Sequence, residues 1–195
     1  MTRPKVCRLG AFVVAACLCS PLAAWGWNPF RTESRAVRSG NRALASKNYD
    51  AALRDYERAA RELPDNAGVS LNRGLAHYRK AMAMPASPEG QADEGRAREL
   101  SASRDAFLQA TRHGGARDLR ADGYYNLGNA FFQERKFRDA VEAFRQSLRI
   151  RPAFRDAQWN LELAMRMQQE EEERQRQQQQ QPQPQEQQPQ QQRPQ

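Results

Sequence analysis

The chain has 195 residues and a formal net charge of +8, with 28% charged residues. That length allows one compact domain plus extensions. The positive surplus is almost all arginine and is interspersed with Glu and Asp along every periodic segment, which describes solvated helix faces and excludes the aromatic-interleaved basic stripe of a nucleic-acid surface.

Residues 1–26 carry Arg3, Lys5 and Arg8, then an apolar run over 9–18, then a small-residue exit around Pro21 and Ala24. This is the order of a secretory signal, so export to the periplasm or cell envelope is expected, with a cut after Ala24 or Gly26. Two other readings stay open. Val14, Ala15, Ala16 and Cys17 are similar to a bacterial lipoprotein box that would lipidate Cys17, although the residues after Cys17 stay apolar where a polar tether is usual. The run would alternatively persist as an uncleaved anchor, for which it is short. Cys7, Cys17 and Cys19 are the only cysteines, so a processed chain would have neither a disulfide nor a cysteine metal site.

Further along, Gly40, Gly74 and Gly128 stand in closely similar settings, the first two 34 residues apart, the period of a two-helix solenoid repeat. Gly inside a helix costs roughly 1 kcal/mol relative to Ala, so its recurrence asks for a packing reason, a close approach between paired helices. Ala52, Tyr56, Ala59 and Pro64 recur as Ala140, Phe144, Ser147 and Pro152 at one offset of 88. The first repeat is expected over 33–66, with a helix A ending near Lys47, a turn at Asn48, and a helix B from Tyr49 to Leu63 stopped by Pro64. The second, over 67–117, has Leu71, Gly74, His77 and Tyr78 on its A helix. Its B-helix residues Leu100, Ser103, Phe107 and Ala110 return 17 residues late. The insert, 82–98, holds Pro85, Pro88, Gly90 and Gly95 without periodicity, so a loop is expected over 84–95, with Met82 and Met84 packed on the helices.

The third repeat covers 121–154. Trp159, Leu161, Leu163 and Met165 then mark a capping helix over 155–167, with Glu162 in the glycine slot. The Gln-rich segment 168–195 favours helix to somewhere before Pro182, and its Pro-Gln remainder reads as a disordered spacer or a contact arm.

Tyr124, Leu127, Gly128, Phe131, Ala140, Phe144 and Pro152 follow the W-x2-L-G-x2-Y…A-x3-F…P spacing, and this stretch resembles the tetratricopeptide repeat (TPR) family. The resemblance implies an all-α, right-handed α-solenoid of three helix pairs plus a C-terminal capping helix, over 33–167. It also implies that the A helices line a concave binding face carrying Asn41, Asn72, Asn126, Asn129 and Asn160. Asn72, Asn126 and Asn160 share one slot of successive repeats, and Asn41 and Asn129 share another. A carboxamide both donates and accepts, so such a row suits the backbone of an extended peptide whatever its sequence. The carboxylate clamp of chaperone-binding TPR domains adds cations, but Val37, Asp122 and Asn126 fill those slots here, and a terminal carboxylate is not the expected ligand.

The N-terminal apolar segment, Trp27, Asn28, Pro29 and Phe30, the run from position 125 to 129 and the Gln-rich tail together look like the TPR proteins of bacterial aerotolerance (Bat) operons. That likeness implies an envelope scaffold beside membrane proteins with von Willebrand factor A domains and a MoxR-type ATPase.

His77 and His113 lie in different repeats and form no metal-spaced pair. His77 takes the slot of Phe131 and is expected to pack, whereas His113 is expected in the last turn of a helix. With no Gly-rich phosphate loop and no G-x-S-x-G, neither an enzyme, a cofactor, a metal nor a small-molecule substrate is expected. Two other functions stand beside a scaffold: an envelope-biogenesis lipoprotein docked to outer-membrane machinery, and a nucleic-acid adaptor whose binding would fall steeply with salt.

Overall fold

The computed structural model describes residues 34–85, 93–112 and 115–180. The expected signal segment with Cys17, the His113 position and the tail beyond 180 lie outside the described residues. Seven helices follow in order: α1 (Arg35–Ala45), α2 (Tyr49–Glu62), α3 (Ala67–Ala83), α4 (Glu94–Arg112), α5 (Arg117–Gln133), α6 (Phe137–Ile150) and α7 (Arg155–Gln180). No strand occurs among the described residues.

Local chemistry sets the boundaries. Ser34, Asn48 and Asn66 each turn a side-chain oxygen onto a backbone N–H of the first turn of α1, α2 and α3, satisfying donors that a helix start leaves open. The turn from α1 to α2 has Lys47 at φ 59°, and the turn from α5 to α6 has Arg135 at φ 60°. In both, the residue after the left-handed one donates back across the helix end, Asn48 N to Ala43 O and Lys136 N to Phe131 O, each at 2.9 Å. That is the Schellman closure, built twice with a basic residue where glycine is usual.

Packing explains the glycines. A methyl group on Gly40 would lie 2.6 Å from the Tyr56 ring, on Gly74 2.5 Å from the Phe107 ring, and on Gly128 2.6 Å from the Phe144 ring. In each repeat the bare backbone of the A helix receives the aromatic of the B helix. Tyr56, Phe107 and Phe144 are completely buried, each contributing about 1.5–3 kcal/mol through loss of apolar surface to water. Small residues complete the crossings. Ala52, Ala59, Ala140 and Ser147 are also fully buried, and the Ser147 hydroxyl donates to Ala121 O at 2.8 Å.

Helices adjacent in the chain pack on each other, and α1 with α3, α3 with α5, and α5 with α7 also touch. The B helices α2, α4 and α6 do not touch one another. Stacked pairs whose A helices meet while their B helices splay curve toward the A side, and the expected asparagines lie on α1, α3, α5 and α7 of that side.

The insert departs from expectation. Relative to Gly74 and Phe107, α3 extends four residues further at its end than α1 or α5, and α4 begins six residues earlier than α2 or α6. Most of the 17 extra residues therefore lengthen the hairpin. Glu94 and Gly95, expected in a loop, are helical, because Asp93 caps the new start by accepting from Arg96 N at 2.9 Å. Half-buried Met82 packs in this extension, with its sulfur 3.8 Å from Arg96 Nη2.

Helix α7 runs well past 167 to Gln180. It docks through buried Ala157 and Ala164, with Leu161 half-buried beside α6. Trp159 and Met165, two of the residues marking its apolar spacing, are 70% and 46% exposed, since no further helix pair follows among the described residues to cover them. No described helix is long and apolar enough to cross a membrane.

Candidate functional site

The five asparagines fall on α1, α3, α5 and α7, and the structure joins four of them in pairs. Asn72 Nδ2 donates to Asn41 Oδ1 at 3.3 Å, linking α3 to α1. Asn160 Nδ2 donates to Asn129 Oδ1 at 2.8 Å, linking α7 to α5. Both pairs are 31 residues apart, the same slots in successive repeats. The middle junction lacks the bridge because Leu75 occupies the slot of Asn41 and Asn129. Asn126, left without that acceptor, turns its amide onto Asp122 O of its own helix at 2.8 Å. The row is thus two bridges with an interruption.

Each bridge leaves a complementary remainder. Among the described residues, the Nδ2 of Asn41 and Asn129 and the Oδ1 of Asn72 and Asn160 have no partner. No buried side-chain polar atom is unsatisfied there, so these groups face accessible space. One donor beside one acceptor matches a single peptide unit.

The two bridges differ in what lies beneath them. Tyr56 Oη donates to Asn41 Oδ1 at 2.7 Å, and burial pushes the Tyr56 phenol up to about 12, which keeps it a donor at neutral pH. Phe144, its counterpart, has no hydroxyl. Beside Asn129 there is instead a cavity of 320 Å³ with Tyr78, Tyr125, Phe132, Phe144 and Leu163 as apolar walls. Asn129, Asn160, Gln133 and the hydroxyls of Tyr78 and Tyr125 supply its polar groups, Asn160 Nδ2 also donating to Tyr125 Oη at 3.4 Å, and no charged side chain lines it. Tyr125 is held against Phe154, with ring centroids 4.7 Å apart. Burial also raises the Tyr78 phenol, against the effect of its hydrogen bond with Gln133.

The slots that a carboxylate clamp fills with cations are otherwise engaged. Val37 packs with Ala36, Ala59 and Val69, and Asp122 accepts from Arg151 at 2.6 Å.

His77 corrects the expectation of simple packing. It is only partly buried, and its Nδ1 lies 2.7 Å from Glu99 Oε2. Lys80 Nζ reaches Glu99 Oε1 and Asp50 Oδ1, each at 2.8 Å. Burial works against ionisation of Glu99, but hydrogen bonds from His77 and Lys80 outweigh it and hold the carboxyl below its ordinary value. An ionised Glu99 accepts only, so Nδ1 carries the proton. Lys80 is raised, first by Asp50 and then by Glu99. The cluster ties α2, α3 and the early turns of α4 together on geometry that no local motif announces. Among the described residues no group of three or more His, Cys, Asp or Glu side chains is placed to hold a metal.

Tetratricopeptide repeat models match residues 37–81 and 121–154. No curated protein matches in sequence. The first TPR domain of human RPAP3 is similar in structure, with a TM-score of 0.57 and 18% identity, covering 71% of this chain and 93% of that one. The Arabidopsis OM64 TPR domain gives 0.53 at 17% identity, covering 66% of this chain and 90% of that chain. The first TPR of Spaghetti (RPAP3), bound to the HSP90 peptide SRMEEVD, gives 0.53 at 18%, covering 67% of this chain and 88% of that chain. At such identities the likeness carries the fold. With the repeat models matched on both sides of the insert and the glycine–aromatic pair built three times, the chain is a tetratricopeptide repeat protein folded as a TPR solenoid, an architecture of protein interaction.

Proposed function

We propose that this chain is a non-enzymatic scaffold that holds an extended segment of a partner protein along the inner face of its A helices. The observation that carries the reading is the duplicated amide bridge, Asn41 with Asn72 and Asn129 with Asn160, each offering a spare donor beside a spare acceptor. Backbone recognition of this kind tolerates varied side chains and gives an extended segment two points of attachment. A TPR domain of the same fold holding a peptide supports it. The peptide's chemistry is not carried over, because Val37, Asp122 and Asn126 stand where a carboxylate would need cations.

The setting belongs to the same proposal. Arg3, Lys5, Arg8 and the apolar run after them support export, and the Bat-type resemblance supports membrane proteins with von Willebrand factor A domains as partners. Mass spectrometry of the mature N-terminus separates a cleaved signal, beginning at Trp25 or Trp27, from a lipidated Cys17, which would favour an outer-membrane lipoprotein role.

The interaction is tested by a photoreactive residue at position 126, on the inner face between the bridges. Crosslinking in cells is expected to yield a discrete adduct that disappears when Asn72→Ala and Asn160→Ala are combined in a chain of unchanged helicity and melting temperature. Persistence of the adduct in that double variant overturns the reading.

A further inference from the structure

Asn129 stands out once its counterpart is considered. In the first repeat Asn41 Oδ1 accepts two hydrogen bonds, from Tyr56 Oη at 2.7 Å and Asn72 Nδ2 at 3.3 Å. In the second repeat Leu75 replaces the asparagine and Phe107 the tyrosine, so amide and hydroxyl are lost together. The third repeat keeps the asparagine and drops the hydroxyl. Asn129 Oδ1 accepts one bond, from Asn160, where Asn41 accepts two.

The two rings are seated alike. The Phe144 ring lies under Gly128 with Cε1, Cδ1 and Cζ at 2.6, 2.7 and 2.9 Å from a methyl placed there, and the Tyr56 ring lies under Gly40 at 2.6, 2.8 and 3.0 Å. The two rings therefore share one pose, and a hydroxyl on the Phe144 ring would point at Asn129 as that of Tyr56 points at Asn41. A cavity of 320 Å³ lies beside Asn129, with the fully buried Phe144 among its lining residues.

We propose that this cavity is the side-chain pocket of the inner face, taking one neutral aromatic residue that carries a hydrogen-bond donor, tyrosine or tryptophan, from the bound segment. The proposal rests on the peptide-binding reading above and adds its specificity. Aromatic walls from Tyr125, Phe132 and Phe144 favour a flat apolar ring, and the ring's O–H or N–H supplies the bond that Asn129 Oδ1 lacks. Polar groups set among aromatic rings orient a ligand in this way. A carboxylate is disfavoured because nothing cationic lines the pocket to offset its desolvation.

The test titrates the full chain with N-acetyl-tyrosinamide and, in parallel, the amide of N-acetyl-glutamate, read by saturation-transfer NMR. Saturable binding of the tyrosinamide alone is expected. Phe144→Tyr, which rebuilds the first-repeat arrangement inside the pocket, should weaken it by about fivefold or more, the equivalent of one hydrogen bond, without lowering the melting temperature. Leu163→Lys, altering the opposite wall, should reverse the preference toward the glutamate probe. Equal tyrosinamide binding by wild type and Phe144→Tyr, or no saturable binding at all, overturns the pocket. Because the in-cell crosslink depends on Asn72 and Asn160 and not on Phe144, loss of the pocket with retention of that adduct would leave the scaffold reading intact.

Discussion

The first and third repeats carry the same four parts: a helix glycine beneath an aromatic ring, an asparagine beside that glycine, and a second asparagine reaching in from the next A helix. They differ in the phenolic oxygen of Tyr56 and in the A-helix residues around it, where Val37 and Leu44 stand for Tyr125 and Phe132. At Tyr56 the hydroxyl satisfies the amide acceptor from within. At Phe144 the acceptor lacks that bond, and the equivalent pair of amides lines a cavity. In a repeat protein neighbouring units supply the scaffold twice over, so one copy can carry a site while the other keeps the fold.

The largest expected effect bears on whether the two copies are mechanically equal. Tyr56→Ala and Phe144→Ala each empty a completely buried ring site over a glycine, and each should cost about 3–5 kcal/mol in chemical denaturation. Markedly unequal losses would break the equivalence on which the comparison depends.

A smaller effect separates the second repeat from both. Glu99→Gln removes the charge that His77 and Lys80 share and should destabilise the chain by about 1.5–3 kcal/mol near neutrality. The folded carboxyl titrates below its unfolded value, so its contribution is present above the unfolded value and is lost as pH falls through the folded one. Wild type should accordingly lose stability on acidification faster than Glu99→Gln over that window, as melting curves at stepped pH would reveal. Parallel curves would remove the cluster from any part in holding the lengthened hairpin.

The smallest change sharpens the comparison most. Tyr56→Phe deletes only the hydroxyl and should cost about 0.5–1.5 kcal/mol. It should also free Asn41 Oδ1 to accept from N-acetyl-tyrosinamide. A second saturable site by NMR is the expected outcome, and its absence would mean that the cavity depends on more than the missing oxygen.

Much of this architecture is legible in residue spacing. The recurrence of Ala52, Tyr56 and Ala59 as Ala140, Phe144 and Ser147 marks positions that are all fully buried, since the surroundings of a repeat recur with its period. Asn48 is readable as a turn because its side chain can cap the helix that follows. The insert is less legible. Pro85, Pro88 and Gly90 point to a loop, but helix extension into Gly95 depends on α3 and α4 stabilising each other along added turns, a benefit that appears only once they are side by side.

The candidate site divides along the same line. Asparagines in shared slots are visible in sequence, and so is the absence of clamp cations. Their pairing is not, because whether an amide faces a ligand or the neighbouring helix depends on the separation of A helices. His77 looks like a packing residue by its slot, yet its partner Glu99 lies 22 positions away, near the edge of the insert, where no periodicity operates.

Sequence alone determined where each hairpin begins, which residues are small enough for helices to cross and which rings fill the crossings, because those demands repeat at a regular period and are met locally. Tertiary structure decided which amides satisfy one another, which remain open, and that a cavity lies beside Asn129. Those outcomes depend on distances between helices that are far apart in the chain, and a hydrogen bond or a void exists only when such distances are met to within a fraction of an ångström.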